Sequence, residues 1–286
     1  SISAQTEHPH ESQTKVIELQ AAIQQRVAAT RSTDVTLRLP YLQQIFDLSP
    51  FEIDLLLLAI APEIDLRYQR LYAYLQDDVT RKRPSVELAL RLFCCSLTER
   101  VKARAAFSPD STLLDRHLLL LHEDPIDRPS PLLSRSLKLD DRIAEFLLGS
   151  DRPDSSLLQP VPLVQIIEPQ QQLQDLELPE PIARSLQQIG TLETRSTTWF
   201  CLLYGTEGTG KQACAEAVAS IRERSLLVLD LAAILQTDLP CQTSQTSIDL
   251  AFREAQLYRS VIYLKDWHQL LTDEQKSRLA ISAIDR

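Results

Sequence analysis

One twenty-residue stretch limits the fold more than any other. Residues 199–218 read WFCLLYGTEGTGKQACAEAV. An apolar run, Trp199 to Tyr204, enters a Gly-rich turn, and a helix-forming run leaves it. The turn matches G-x-x-x-x-G-K, the pattern of a phosphate loop, with Gln212 where Ser or Thr ordinarily follows the lysine. The order has a physical reason. A strand delivers the chain to a sharp bend. Glycines let backbone N–H groups curl round an anion with no Cβ in the way, and the positive end of the next helix points at the same spot. The chain has 5 Gly, and Gly205, Gly208 and Gly210 all fall here. A Gly-rich surface turn is the plain alternative, but chance matches to this spacing in so glycine-poor a chain are on the order of 0.002. Gly205, Thr206, Glu207, Gly208, Thr209, Gly210, Lys211 and Gln212 are the candidate nucleotide-binding set. Lys211 would reach the β- and γ-phosphates as a point charge. A Gln amide on a longer arm is a poor substitute for the hydroxyl that normally holds Mg²⁺.

The length of 286 residues suits two domains with sizeable cores. Apolar content of 44% and charged content of 24% describe a soluble globular class. No apolar run approaches the length of a membrane span, and the polar start, SISAQTEHPHESQ, is no signal peptide, so a cytoplasmic setting is expected. The chain has no Met, which reads as a trimmed product or a piece of a longer polypeptide. The 5 Cys (94, 95, 201, 214 and 241) have no metal-ligand spacing, and thiols in a reducing compartment are the expectation, with no metal site. A net charge of −9 disfavours nucleic-acid binding by the chain as a whole.

In chain order, residues 11–30 suit a helix, with Leu19, Ile23 and Val27 forming one apolar stripe that is expected to pack on its own domain. A helix shared with a neighbouring subunit is the alternative. Ser49-Pro50-Phe51-Glu52 is a helix start with a capping box, and Phe51 to Ala61 is apolar enough to be central. Residues 66–76 read as a helix with Leu71 and Leu75 inward, and 85–95 as another. Between residues 66 and 104 stand 9 basic and 4 acidic side chains, densest at Arg81-Lys82-Arg83. A solvated rim is the favoured reading there, since no aromatic platform accompanies it. HLLLLHED and LLSRSLKL, split by a Pro-rich loop, predict a two-stranded ribbon, and DDRIAEFLLG a short helix ending at Gly149. Residues 150–181 hold 6 of the 16 Pro and read as a linker or arm, with an edge strand at Val161–Ile167. Residues 182–190 read as a helix. After the phosphate-loop helix come a buried parallel strand (Leu226 to Leu229), a helix over 246–259, a strand leaving through Lys265-Asp266, and a last helix opened by Thr272-Asp273-Glu274-Gln275. Strand, helix, strand, helix, strand is an α/β sheet pattern.

A phosphate-loop ATPase needs a second strand that ends in carboxylates, one for Mg²⁺ and one to activate water. Asp230 closes Leu226–Leu229 but follows Lys211 too soon in sequence. The strand Val261–Leu264 has the right separation, and there the pair is Lys265-Asp266. In one register a cation stands in the metal-holding position and Asp266 in the water-activating one. In the other, Asp266 holds the metal and Trp267 replaces the base. Asp266 is the one candidate catalytic residue. Either way a carboxylate is missing, and such losses cost orders of magnitude in phosphoryl transfer.

On these residues the C-terminal part resembles the AAA+ ATPases. GTEGTGKQ matches their phosphate loop, and VIYLKD a degenerate form of their acid strand. The N-terminal part, LSPFEIDLLLLAIAPEIDLRYQRLYAYLQDD and RKRPSVELALRLF, is similar to the winged-helix-like domains of bacterial AAA+ proteins, including those encoded with contractile injection systems. The resemblance implies an α/β phosphate-loop domain, AAA+-like and incomplete, over 182–286. It implies a mainly helical, winged-helix-like domain over 1–149, with 150–181 between them. It also implies a 5-1-4-3-2 sheet, so that a strand beyond this chain would lie between the first and third. ATP or ADP is the expected ligand, with Mg²⁺ in question. A homo-oligomeric ring and a protein partner on the N-terminal domain are the expected assemblies. Four functions compete. The first is a nucleotide-binding module weak or inactive in hydrolysis, within a larger AAA+ protein. The others are a working ATPase that remodels a protein assembly, a winged-helix DNA-binding regulator, and a scaffold whose loop is a relic. The intact Gly-Lys loop beside altered metal positions favours the first.

Overall fold

The computed structural model describes residues 7–31, 36–123, 129–158, 162–192, 200–236 and 243–271. The first body is built from α2 (Arg38–Ile45), α3 (Pro50–Ile64), α4 (Arg67–Leu75), α5 (Val86–Phe93), α6 (Leu97–Ala103) and α7 (Thr112–Asp115). A ribbon of β1 (Leu119–His122) and β2 (Ser136–Leu139) and the helix α8 (Asp141–Leu147) complete it. The ribbon is antiparallel, with Leu119 opposite Leu139 and Leu121 opposite Leu137, and Ser85 bridges to Ser136 just before α5. Helices followed by a two-stranded ribbon, here with α5 and α6 joined by a short turn, are the winged-helix-like arrangement that the sequence predicts.

Local chemistry explains the breaks between helices. The Ser49 hydroxyl accepts from the Glu52 N–H while the Glu52 carboxylate accepts from the Ser49 N–H, so the capping box forms and Pro50 takes the first turn. A second box, Ser96 with Glu99, starts α6 and was not anticipated, nor was α2. The core runs from Leu42, Leu55 and Leu56 through Leu88, Leu113 and Leu119 to Ile143.

Two N-terminal expectations need correction. The helix over 11–30 forms as α1 (Glu7–Arg31), but Leu19 and Ile23 of the expected stripe are exposed and Val27 is only partly buried. The first core is already filled by α2, α3, α5 and the ribbon. In α4 Leu75 packs on the core as expected, but Leu71 is exposed and Tyr72 is the buried residue in its place. The Tyr72 hydroxyl donates to the Leu58 carbonyl at 2.8 Å, so one side chain brings both apolar bulk and a donor to an α3 carbonyl.

The second body is a three-stranded sheet in the order β3-β4-β5, formed by β3 (Val164–Ile167), β4 (Leu226–Asp230) and β5 (Val261–Lys265). β4 and β5 are parallel, with Leu226 opposite Val261 and Asp230 opposite Lys265. β3 pairs antiparallel on the outer side of β4, the edge strand expected within 161–167, apart from Val161, which lies outside the described residues. Leu157, Leu163 and Val164 are buried with β4, so this Pro-rich stretch is built into the second core. The helices are α9 (Glu180–Thr191), α10 (Lys211–Ile221), α11 (Leu231–Gln236) and α12 (Ser244–Tyr258). A Cβ on Gly190 would stand 2.7 Å from Ile221 Cγ2, so glycine sets how closely α9 approaches α10.

The expected strand before the loop is not seen as a strand. Trp199 lies outside the described residues, and 200–204 pairs with no neighbour among them. Phe200, Leu202 and Tyr204 are exposed, while Leu203 turns inward against α10. A strand needs a neighbour for its backbone groups, and among the described residues none lies beside 200–204, although the outer edge of β5 is also unpaired there. The expected helix from Thr272 onward lies outside the described residues.

The two bodies meet on α12, whose Ile248 and Ala251 belong to the second core while Leu257 belongs to the first. At the seam, Arg142 donates through Nε to Glu254 at 2.9 and 3.2 Å, with the two side chains 3% and 0% exposed. Arg253 spans from Asp140 (3.0 Å) to Asp154 (2.7 Å) and donates to the His117 carbonyl. The Tyr41 hydroxyl donates to the Gln256 carbonyl at 2.6 Å, and Tyr258 donates to the Asp151 carbonyl. Burial raises the Glu254 carboxyl above its ordinary value, and the adjacent Arg142 charge only partly offsets this.

Removing one member of such a pair strands a buried charge. Arg142→Ala or Glu254→Ala is expected to cost about 3–5 kcal/mol, whereas Arg142→Met with Glu254→Leu is expected to cost less than either single change, as read by urea denaturation. Burial also pushes the Tyr72 phenol up to about 12 from an ordinary 10.0. The unfolded chain then ionises first, so this contribution to stability is intact below pH 10 and lost as pH rises through about 12. An absorbance titration beside alkaline unfolding should show Tyr72→Phe removing that part of the loss.

Candidate functional site

The loop lies between Tyr204 and α10. Gly205, Gly208 and Gly210 hold φ of 152°, 81° and 77°, in the region that favours glycine. Open space stands where a Cβ would project from Gly208 and Gly210. Gly210 is the N-cap of α10 in a left-handed conformation and gives its carbonyl to Cys214 N–H at 2.9 Å. The N–H groups of Gly208 through Gln212 donate to no acceptor among the described residues. They stand together at the positive end of an eleven-residue helix. The Thr209 hydroxyl donates to the Thr206 carbonyl at 2.8 Å and braces the turn. Lys211 folds back, donating through Nζ to the carbonyls of Gly205 (3.1 Å) and Thr206 (2.7 Å). Glu207 and Gln212 complete the candidate set at the rim and in the first turn of the helix.

α10 rests on the sheet through Ala215 and Ala219 against Leu226, Val228, Val261 and Tyr263. Burial raises the Tyr263 phenol, the Asp266 carboxylate raises it further, and the Lys265 ammonium opposes this. Tyr263 packs with Ala215 and Ala219, so the loop helix rests on the strand that leads into the Lys265-Asp266 pair. Asp266 follows β5 at φ 59°, and its carbonyl accepts from Gln269 N–H at 3.0 Å.

A pairing that sequence spacing did not reveal lies beside it. The Lys265 ammonium donates to Asp230 Oδ2 at 2.7 Å, while Asp230 Oδ1 accepts from Ala233 N–H at 3.0 Å and starts α11. Burial pushes the Asp230 carboxyl up, but the hydrogen bonds from Lys265 and Ala233 outweigh it and hold the group below its ordinary value. The same bond raises Lys265, against a smaller opposing effect of burial. The available signal was positional, since Asp230 and Lys265 close neighbouring parallel strands.

The donor set fits a phosphate group: clustered N–H groups at a helix start, glycines that leave the anion room, and an ammonium folded against the loop. It does not fit Mg²⁺ in the same way. Gln212 offers a neutral amide, and the Asp230 carboxylate is already shared between an ammonium and a backbone N–H. Among the described residues no group of three or more His, Cys, Asp or Glu is arranged to hold a metal ion.

The family model described as winged helix domain, variant, matches residues 2–160, more than half of the chain. The chain belongs to that winged-helix family. The model of the AAA family, ATPases associated with various cellular activities, matches residues 201–283, from the run before the loop to beyond β5. No curated protein and no solved structure gives a significant match. The winged helix domain thus precedes a nucleotide-binding, ATPase-type module, of a family whose members commonly oligomerise. No helix among the described residues is long and apolar enough to cross a membrane.

The ion pair carries a titration test. Lys265→Ala should move the Asp230 carboxyl upward, because burial is then opposed mainly by Ala233 N–H. Carboxyl-detected NMR that finds Asp230 unmoved would mean that Lys265 does not hold it.

Proposed function

We propose that this chain is a nucleotide-binding AAA+ module weak or inactive in hydrolysis, serving ring assembly and presenting its winged helix domain to a protein partner. The observation that carries the reading is the contrast within one site. The Gly-Lys loop keeps its phosphate-binding groups, while Lys265 neutralises the nearest strand-end carboxylate. ATP or ADP binds through the N–H groups of Gly208 to Gln212. Lys211 leaves the Gly205 and Thr206 carbonyls for phosphate oxygens, which are charged and hold it more strongly. Thr206, Glu207 and Thr209 shape the rim. A fixed ammonium beside the site offsets phosphate charge without a metal, and binding therefore depends little on Mg²⁺. Asp266 is the one carboxylate left to act on water, and the alternative of a working ATPase rests on it. Similarity to proteins encoded with contractile injection systems favours a role in a protein assembly.

Calorimetric titration of ATP and ADP, with and without Mg²⁺, tests this on the full chain and on Lys211→Ala. Removing the lysine should weaken binding about tenfold to a hundredfold, the loss of charged hydrogen bonds worth roughly 1.5–3 kcal/mol, while chelating Mg²⁺ changes it by less than threefold. Binding that tightens sharply with Mg²⁺, together with steady turnover abolished by Asp266→Asn, would replace this reading with the ATPase.

A further inference from the structure

In a helix-turn-helix the second helix is the one that a nucleic-acid reader inserts into a groove. Here that helix is α6, joined to α5 by the turn at 94–96. Its outward face is wrong for base edges. Leu97 is 78% and Val101 62% exposed, one helical turn apart, and no residue of α6 is buried. Neither side chain can donate or accept a hydrogen bond. Leu92 and Phe93, at the end of α5 just before the turn, are also exposed. The four leave an apolar surface on the order of a few hundred Å², the size class in which exposed patches mark interaction sites. They are neighbours on two consecutive elements rather than scattered.

Exposed cations outnumber exposed acids around this surface, where Glu87 stands one turn before Arg91 on α5. Arg91, Lys102 and Arg104 are exposed and enter no ion pair among the described residues. The Arg100 Nε–H is shielded and has no acceptor there. The acid within α6, Glu99, is committed locally, since its carboxylate accepts from the N–H groups of Cys95 and Ser96. By contrast, Arg81 of the Arg81-Lys82-Arg83 cluster already faces Asp78 at 3.4 Å, and Gln76 donates to the carbonyls of Arg81 and Arg83. An apolar ridge with unmatched cations stands on a chain whose net charge is −9. That combination selects an occupant with its own apolar stripe and flanking carboxylates.

We infer that the α5–α6 face of the winged helix domain, centred on Leu97 and Val101, docks an acidic amphipathic helix of a protein partner. The helix lays apolar residues at i, i+3 or i+4, and i+7 on the ridge and sets its carboxylates against Arg91, Lys102 and Arg104. The apolar contact supplies affinity, and the charges supply orientation and on-rate. The inference rests on the partner-presenting half of the proposed function and is independent of the nucleotide half.

Selection of displayed random 18-residue helical peptides on the full chain tests it. Counter-selection uses Leu97→Asp/Val101→Asp, which alters only exposed side chains, with its thermal midpoint measured to confirm an intact fold. Enriched peptides should carry the i, i+3/4, i+7 apolar pattern with an excess of Glu and Asp. Synthetic copies should lose at least tenfold in affinity against that variant, and severalfold against Lys102→Glu/Arg104→Glu or on raising NaCl from about 50 to 500 mM. Peptides that bind the variant equally well, or selected peptides without acidic excess, would overturn the inference. So would a 20-base-pair DNA duplex whose binding is lost in the Leu97/Val101 variant, or self-association through these residues with no peptide selected. Loss of the peptide result with Lys211-dependent nucleotide binding intact removes this surface alone, and the reverse outcome removes the nucleotide reading alone.

Discussion

The buried charges on α12 decide how the molecule is put together. Arg142 and Glu254 are almost wholly removed from water, and Arg253 reaches both Asp140 and Asp154 from the same helix. Desolvation of such groups is expensive, and only near-complete pairing keeps the seam from coming apart. The partners of Glu254 and Arg253 lie on the winged helix domain and on the segment that leaves it, whereas α12 also lies against β4 and β5. One helix is thus a wall of both cores. A displacement of the sheet end cannot be absorbed at a loose joint, since polar partners are exchanged only at the cost of unpaired charge.

This joint gives the two halves of the molecule a common frame. The loop opens α10, which packs on the sheet whose parallel strands end at Asp230 and Lys265. The sheet's covering helix, α12, is locked to α8 through Arg142. The ribbon and the α5–α6 pair are built on the same core as α8, through Leu119, Leu137, Leu88 and Ile143. The loop and the winged helix domain are therefore connected by packed elements.

Much of this was legible in the sequence where local rules act alone. The Ser49–Glu52 box, each strand of the ribbon in 117–139, the strands at Leu226 and Val261, and the Gly-Lys turn are each written in a short local run of residues. Features that depend on distant partners were not legible. Arg253-Glu254 sits in a helix whose period looks ordinary, and nothing nearby announces Arg142 more than a hundred positions earlier. Leu71 and Tyr72 are both apolar enough to face inward, and the carbonyl of Leu58 chose between them. The stripe of α1 predicted burial, yet a period says only that a face exists and not what covers it. The run at 200–204 has strand composition, but a strand is a property of two chains of backbone. In the candidate site, the loop was read correctly as a turn into a helix. The Lys265–Asp230 bond was missed because spacing along the chain says nothing of register across a sheet.

Lys211 has a consequence that lies in selectivity. Its ammonium already holds two neutral carbonyls, at 2.7 and 3.1 Å, so the loop is closed on itself rather than waiting open. A visitor must offer the lysine better acceptors than those. A phosphate oxygen does, because it carries charge. A neutral nucleoside does not, however well its base or sugar fits. On the proposed function the lysine is a charge filter, sorting visitors by their anionic end before the rest of the molecule is met.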